Sequence, residues 1–386
     1  MSDTSSLPTI HWTEDGAEHS ALWHSEAGLP PPKRVVIADD QTPADTAFRL
    51  ASEGVALLWR GDFQNARQLL QAMARRTDRK PKHTHKRASK PPANMTEAFH
   101  KHRLAQSQRA RTLGMLLLPF EPGHVVPLRR APDVAEACTQ VYGPANAPYV
   151  ASMRELLGLI GAFEWRKKGV EIPVLGQRIH PWYGVFSPVR GEYLDLVANE
   201  PLPTDTLAFD IGTGTGVLAA LLAQRGVRRV VATDQDPRAL QCARDNLARL
   251  GHAGRVEVVD ADLFPPGRAP LVVCNPPWVP ARPSSPVEHA VFDPDSHMLR
   301  GFLEGLADHL EPGGQGWLLL SDFAEHLGLR TREELLGWID AAGLTVLGRS
   351  DIRPRHPKAS DPDDPLHLAR RAEVTSLWRL TASQNR

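Results

Sequence analysis

Short apolar segments alternate with amphipathic segments from residue 206 onward, and this alternation limits the possible folds more than any other feature of the sequence. The apolar segments include "TLAFDIG", "RRVVATD", "RVEVV" and "LVVCN". The amphipathic segments among them are "VLAALLAQRG" and "PRALQCARDNLARLG". Apolar strands that alternate with helices form a parallel sheet covered by helices on both faces. The pattern therefore predicts an α/β domain.

The same pattern continues toward the end of the chain. It predicts helix 296–310, strand 314–321, helix 332–342 and two closing strands in "LTVLGRSDI" and "EVTSLWRLT".

The turn after the first of these strands is rich in glycine. It runs from Asp210 through Gly212, Gly214 and Gly216. Glycine lets the backbone turn sharply and approach a ligand closely where a helix begins. The spacing differs from the GxGxxG signature of nicotinamide cofactors, because Val217 stands at the third glycine position. The acid two residues before Gly212 would repel a pyrophosphate, so the turn favours a cationic ligand.

Acidic residues follow the next two strands. Asp234 ends "RRVVATD", where a carboxylate can accept hydrogen bonds from both hydroxyls of a ribose. Its alternative role is to cap the following helix, although Asp236 before Pro237 is the better capping candidate. Asp262 in "DADLF" is either an acceptor for an adenine amino group or an ordinary loop acid.

The strand "LVVCN" ends in a rigid corner formed by Asn275, Pro276, Pro277 and Trp278. Two prolines cannot continue a sheet, because neither has an N–H to donate. Taken alone, Asn-Pro and Pro-Pro are common in tight turns, so the corner by itself is compatible with a purely structural role.

These motifs, in this order, resemble those of the class I S-adenosylmethionine-dependent methyltransferases. The resemblance covers roughly residues 180 to 383 and rests on "DIGTGTG", "ATDQD" and "NPPW" at the carboxyl ends of predicted strands. It implies a Rossmann-like seven-stranded methyltransferase sheet, mostly parallel with an antiparallel last strand, within residues 171–386. It implies S-adenosylmethionine as the cofactor, held by Asp210, Gly212, Gly214, Gly216, Asp234 and Asp262.

In the amino-directed members of this family, an [ND]PP[YFW] motif follows the fourth strand. The resemblance implies that the Asn275 side-chain oxygen and the Pro276 carbonyl accept hydrogen bonds from a planar NH₂ group. These acceptors would pull the nitrogen toward sp³ character and direct its lone pair at the methyl group. Pro276 and Pro277 would fix the corner, and Trp278 would stack on the flat target. Such a displacement needs no metal, and we expect none.

A strongly basic segment lies in the N-terminal half. Net charge is zero over the chain, but residues 75–112 hold twelve Lys or Arg against two acids, so the rest of the chain is correspondingly acidic. The asymmetry favours a polyanionic partner, and a solvated linker is the alternative. RNA or the ribosome is the partner that this charge predicts, because Lys and Arg supply affinity by neutralising phosphates.

An amino-directed motif admits several targets. The exocyclic amine of a base in ribosomal or transfer RNA is the first, and the glutamine side-chain amide of a release factor or ribosomal protein is the alternative. The sequence also resembles the release-factor glutamine methyltransferases, but Tyr is usual where Trp278 stands. A nicotinamide oxidoreductase and an inactive RNA-binding module are further alternatives, and both leave the corner unexplained.

The N-terminal half carries different patterns. Residues 1–40 are polar and rich in proline, which predicts poor order. Residues 41–170 are predicted to form a mostly helical domain, with helices at 42–59, 63–73, 95–118, 131–141 and 150–163. The methyltransferase domain would then occupy the remaining residues.

The cysteines and the apolar segments of the sequence indicate the compartment in which the protein is expected. Cys138, Cys242 and Cys274 are far apart and lack CxxC spacing, which is typical of buried thiols in a reducing compartment. No signal peptide and no apolar run of about 20 residues are found, so we expect a cytoplasmic protein without membrane contact. The sequence does not predict the oligomeric state.

Overall fold

A computed structural model describes most of the chain and divides it into two compact units. The described residues are 7–78, 92–188, 191–284, 286–355 and 361–383. The N-terminal unit comprises Met1–Pro91 and Lys101–Glu164, and the C-terminal unit comprises Pro92–His100 and Trp165–Arg386. Residues 92–100 thus belong to the C-terminal unit, although the sequence on both sides of them belongs to the N-terminal unit.

The N-terminal unit contains a mixed six-stranded sheet. Its strands are β1 (Thr9–Glu14), β2 (Ala17–His24), β3 (Val35–Ala38), β4 (Ala56–Trp59), β5 (Leu116–Phe120) and β6 (Tyr149–Ser152), in the spatial order β1-β2-β6-β5-β4-β3. The α-helices described between residues 41 and 170 are α1 (Ala44–Ser52), α2 (Phe63–Thr77), α3 (Met95–Leu113), α4 (Ala135–Tyr142) and α5 (Met153–Lys168).

The prediction of poor order for residues 1–40 is wrong. Strands β1 and β2 form an antiparallel hairpin whose two-residue turn is Asp15-Gly16. Both turn residues have positive φ, 51° and 79°, as a tight hairpin turn of the right twist requires. Ile10 and Trp23 of this hairpin are buried in the core of the unit. An Asp-Gly pair between short apolar stretches was the available sequence signal.

The prediction of a mostly helical domain over residues 41–170 missed three strands of the six-stranded sheet, although each predicted helix overlaps an observed one. The segment 42–59 divides into α1 and strand β4, and every residue of β4 is buried. The predicted helices 95–118 and 150–163 likewise each include part of a strand, β5 in the first and β6 in the second. Buried strands of four or five residues are uniformly apolar, and periodicity cannot distinguish them from buried helical turns.

The C-terminal unit begins with a short hairpin and then contains a seven-stranded sheet. The hairpin is β7 (Val170–Ile172) and β8 (Gln177–Ile179). The sheet strands are β9 (Leu207–Ile211), β10 (Arg229–Asp234), β11 (Val256–Asp260), β12 (Ala269–Cys274), β13 (Leu310–Ser321), β14 (Leu344–Ile352) and β15 (Thr375–Ala382). Their spatial order is β11-β10-β9-β12-β13-β15-β14, and β15 is antiparallel to both of its neighbours.

Helices surround this sheet. They are α6 (Glu192–Asn199), α7 (Val217–Gln224), α8 (Pro237–Arg249), α9 (His297–His309), α10 (Phe323–His326), α11 (Arg332–Ala341) and α12 (His367–Ala372). Alternate residues of β12 enter opposite cores: Leu271 and Val273 pack in one, Val272 and Cys274 in the other. This alternation, with apolar residues on both faces, is the pattern from which the α/β domain was predicted. Within the described ranges, no helix is both long and apolar enough to cross a bilayer.

The order of the strands brings the predicted motifs to one edge of the sheet. Strand β9 lies between β10 and β12 and is parallel to both. Ile211 is paired in register with Cys274, so Gly212 and Asn275 are the next residues on two adjacent strands. The connection after β9 runs to β10 and the connection after β12 runs to β13, in opposite directions along the sheet. Open α/β sheets bind ligands at such switch points.

Candidate functional site

The glycine turn is fastened to the end of β10. The Thr213 amide donates to the Thr233 carbonyl at 2.8 Å, and the Gly214 amide donates to Asp234 Oδ2 at 3.0 Å. Two of the elements predicted to bind the cofactor, the turn and the acid after the second strand, are therefore in direct contact.

Each glycine of the turn has a positive φ, and the space around each differs. Gly212, Gly214 and Gly216 have φ of 70°, 54° and 79°. A Cβ on Gly212 would lie 2.4 Å from Met298 Cε, and one on Gly216 would lie 3.2 Å from the Cα of Ala243. A Cβ on Gly214 would meet nothing within 4 Å among the described residues. The open side of the turn is thus at Gly214, where backbone can approach a ligand.

Asp210 is fully buried beneath the turn. Its Oδ2 accepts hydrogen bonds from the Thr213 hydroxyl at 2.6 Å and from the Ala219 amide in the first turn of α7 at 3.1 Å. Its Oδ1 has no hydrogen-bond partner within the described part of the chain. Burial raises the pKa of this carboxyl to about 6, although the two donors oppose the shift. An unpartnered buried carboxylate oxygen fits a ligand that brings a donor or a positive charge.

Asp234 holds two backbone amides at the end of β10. Its Oδ1 accepts from the Asp236 amide at 3.0 Å, and its other oxygen holds Gly214. Burial raises its pKa, and the backbone amides partly offset that effect. A carboxylate oxygen can accept more than one hydrogen bond, so acceptor capacity remains for hydroxyl groups. Asp236 caps α8 by accepting from the Arg238 amide, as predicted.

Asp262 lies at the same edge, just beyond β11. The amide of the preceding residue, Ala261, donates to the Asp234 carbonyl at 3.1 Å. The Asp262 side chain is exposed. Its predicted contact with an adenine amino group stays a prediction.

The Asn-Pro-Pro-Trp corner follows β12. Pro276 is buried, whereas Asn275, Pro277 and Trp278 are half-buried. The indole Nε1–H of Trp278 donates to Asn275 Oδ1 at 2.9 Å. The corner therefore has an internal hydrogen bond between its first and last residues, which the sequence did not predict.

Tyr193 of α6 also belongs to this site and was missed from the sequence. Its side chain is buried, and its ring meets the Trp278 ring edge-on with 6.5 Å between centroids. Burial and the charge of Asp210 raise the pKa of its hydroxyl, and a hydrogen bond with the Asn275 side chain lowers it. Tyr193 thus packs beside the corner through its contact with Trp278. It stands in an amphipathic helix, where nothing distinguishes it from a core residue.

A second apolar cluster supports the chain that leaves the corner. Val279 forms a bridge with Phe292, and the Asp293 amide donates to the Val279 carbonyl at 2.9 Å. Ala98 and Phe99, from the stretch Pro92–His100, are buried in the same cluster as Val279, and Trp278 packs against it. No sequence pattern predicts that residues before α4 contribute to this unit.

Comparison with known proteins identifies the unit. Residues 184–332 match the family model of the methyltransferase small domain. The C-terminal unit belongs to the class I S-adenosylmethionine-dependent methyltransferases. S-adenosylmethionine is the cofactor of this class, and the buried acid, the open glycine turn and Asp234 fit a cationic nucleoside.

Several curated methyltransferases are similar to part of the chain. A release factor glutamine methyltransferase of Cereibacter sphaeroides is 35% identical over 186 residues, covering 44% of this chain and 63% of that protein. A ribosomal protein L11 methyltransferase of Pelotomaculum thermopropionicum is 51% identical over 69 residues, covering 17% and 22%. A "tRNA1(Val) (adenine(37)-N6)-methyltransferase" of Bacteroides thetaiotaomicron is 36% identical over 112 residues, covering 27% and 47%. The matches thus span less than two thirds of each relative.

We expect cofactor affinity to fall as the pH drops through about 6. The pKa of Asp210 is raised to about 6, so the carboxyl gains a proton below that pH and no longer attracts a cation. Affinity for S-adenosylmethionine, measured by calorimetry, should be about tenfold weaker at pH 5 than at pH 7. Asp210→Asn should bind weakly with little pH dependence. A flat profile for the wild type would exclude Asp210 from the cofactor site.

Ionisation of Asp210, which favours cofactor binding, lowers the stability of the free protein. Because the folded state binds this proton more tightly than the unfolded chain, ionising Asp210 costs stability as the pH rises from its ordinary pKa through about 6. Melting curves of the free protein therefore separate this contribution from cofactor binding.

Proposed function

We propose that this protein transfers a methyl group from S-adenosylmethionine to the nitrogen of a planar NH₂ group, the exocyclic amine of a base in RNA. The observation that carries the proposal is the placement of the Asn-Pro-Pro-Trp corner next to the glycine turn. The corner and the turn follow register partners on adjacent parallel strands, Cys274 and Ile211. An acceptor amine at the corner would therefore lie beside a cofactor at the turn.

The cofactor would be held by residues of three neighbouring strand ends. Asp210 offers its free oxygen to positive charge, Gly214 leaves room for close backbone approach, and Asp234 offers acceptors to ribose hydroxyls. Asp262 would accept from the adenine amino group. The bound cofactor supplies an electrophilic methyl group carried on a sulfonium.

The corner would orient the acceptor amine and accept hydrogen bonds from its two N–H groups. Asn275 Oδ1 and the Pro276 carbonyl would each take one N–H of the amine, which weakens delocalisation of the nitrogen lone pair into the ring. Pro276 and Pro277 limit backbone freedom, so orienting these acceptors costs little when the substrate binds. The Trp278 ring lies beside Asn275 and would contact a flat base.

The basic segment supports RNA as the substrate. Residues 75–112 carry its excess of positive charge, and residues 79–91 of it lie outside the described part of the chain. The stretch that follows, Pro92–His100, packs on the methyltransferase unit through Ala98 and Phe99, in the cluster that contacts Trp278. In sequence, the charged segment therefore includes residues that pack in the cluster that Trp278 contacts.

A glutamine amide is the second candidate acceptor. Relatives named as release factor and protein glutamine methyltransferases favour it, and an amide NH₂ is planar and weakly nucleophilic like that of a base. The corner could hold either group by the same two acceptors. The charge of the basic segment is what favours RNA.

We expect labelled methyl from S-adenosylmethionine to enter RNA, and RNA affinity to depend on the basic segment. One variant replaces five cations of the segment by alanine: Lys80, Lys82, Lys86, Arg87 and Lys90. The slope of log affinity against log salt should then flatten by about 0.7 for each phosphate that the variant no longer neutralises.

The matched control removes Arg228 and Arg229, two exposed cations at the amino end of β10, which is the sheet edge opposite the site. Its salt slope should stay at the wild-type value. Label in a release factor or ribosomal protein, with none in RNA, would overturn the RNA assignment in favour of glutamine.

A further inference from the structure

The Asn275 side chain is held in one orientation by its neighbour Trp278. A carboxamide can rotate by half a turn and exchange its oxygen with its NH₂ group. Indole Nε1–H is a donor that cannot accept, so the Asn275 atom 2.9 Å from it must be the oxygen. Reversal of the amide would place NH₂ against N–H. The indole therefore keeps the oxygen of the amide toward Trp278 and the NH₂ group away from it.

Tyr193 packs against the same corner. Its buried ring lies edge-on to the Trp278 ring, with 6.5 Å between the centroids. The indole is therefore held from two sides, by its hydrogen bond to Asn275 Oδ1 and by the ring of Tyr193.

The orientation matters for the chemistry of an amine acceptor. Asn275 Oδ1 has two lone pairs, and the indole uses one. The other remains for one N–H of a substrate NH₂ group, and the Pro276 carbonyl can take the second N–H. A reversed amide would present donors to a donor and repel the substrate. Correct orientation of this single group is thus a condition for binding the amine productively.

We propose that the indole N–H of Trp278 is a positioning group that keeps Asn275 Oδ1 available to the acceptor amine. This role rests on the proposed methyl transfer to a planar NH₂ group. It is separate from stacking, because any aromatic ring can stack, whereas neither Phe nor Tyr has an N–H in place of indole Nε1. Trp278 acts here through Asn275, not on the reacting atoms.

The test is Trp278→Phe, which retains a ring and removes the N–H. We expect the single-turnover rate of methyl transfer to fall about 3- to 10-fold, the scale of one hydrogen bond, with KM for the acceptor and cofactor affinity little changed. In an Asn275→Ala background, Trp278→Phe should cause no further loss, since the group it orients is absent. Trp338→Phe on α11 is the control for the same chemical change elsewhere, and its rate should equal wild type.

The outcomes separate this inference from the proposed function. A wild-type rate in Trp278→Phe, with a slow Asn275→Ala, would overturn the positioning role and leave the methyl transfer standing. A further loss in the double variant as large as in the single one would also overturn it, because the ring would then act independently of Asn275. A normal rate in Asn275→Ala would reject the proposed function itself.

Discussion

Asn275→Ala is expected to lower the rate of methyl transfer by about 10²–10³ while leaving affinity for S-adenosylmethionine near that of the wild type. The side-chain oxygen would accept a hydrogen bond that strengthens as the amine nitrogen rehybridises, so its contribution arises mainly in the transition state. Losing one oriented polar group of this kind typically costs that factor. Single-turnover methyl transfer and calorimetry on one preparation measure both quantities.

A purely structural role for Asn275 would give a different result for Asn275→Ala. The side chain also accepts a hydrogen bond from the Trp278 N–H, so its removal leaves an indole N–H without its partner. If that were its whole contribution, Asn275→Ala would lower the melting temperature, cofactor affinity and rate together. Asn275→Asp is the companion variant, because a carboxylate also accepts hydrogen bonds, and it should retain part of the activity. Normal turnover in Asn275→Ala would exclude an amino-directed methyl transfer at this corner.

Asp234→Ala is expected to weaken binding of S-adenosylmethionine by about 1.5–3 kcal/mol, which is about 10- to 160-fold in Kd. Two losses combine in this variant. The ribose hydroxyls would lose their acceptors, and the Gly214 amide would lose the partner that ties the turn to β10. Calorimetric titration with the cofactor measures the effect directly.

Asp236→Ala is the matched control for this experiment. Asp236 lies two residues away and caps α8, so its removal should cost about 1 kcal/mol of stability. Cofactor affinity should be unchanged, since its side chain bonds the Arg238 amide and not the glycine turn. Asp234→Ala with the affinity of the wild type would remove Asp234 from the cofactor site.

Much of the C-terminal unit could be predicted from the sequence because its signals are local and repeated. The central strands β9, β10 and β12 are apolar on both faces, and each is followed by a helix that buries apolar residues, so few other folds fit the pattern. The predicted helices 296–310 and 332–342 correspond to α9 and α11 within one residue at each end. The carboxyl ends of parallel strands share one edge, which is why the pattern alone assigns Asp210, Asp234 and Asn275 to one site.

The N-terminal unit could not be predicted in this way. Its strands β3, β4 and β6 have only four residues each, too few to show an alternation or to be told from a helical turn. Their strand conformation depends on pairing with partners elsewhere in the chain. β5, for example, lies between β4 and β6, whose sequences are separated from each other by α2, α3 and α4.

The sequence by itself determined the class predicted for the C-terminal unit and the residue types at its candidate site, because the glycines, acids and prolines there act through local backbone geometry and charge. Tertiary structure alone decided which end of the Asn275 amide faces Trp278, that the Tyr193 ring lies beside Trp278, and that Ala98 and Phe99 pack in the cluster that Trp278 contacts. These features depend on contacts such as that of the Thr96 hydroxyl with the Leu327 carbonyl, at 2.8 Å and 231 residues apart. Such a contact produces no periodic pattern in the sequence, because it forms only when packing brings distant segments together.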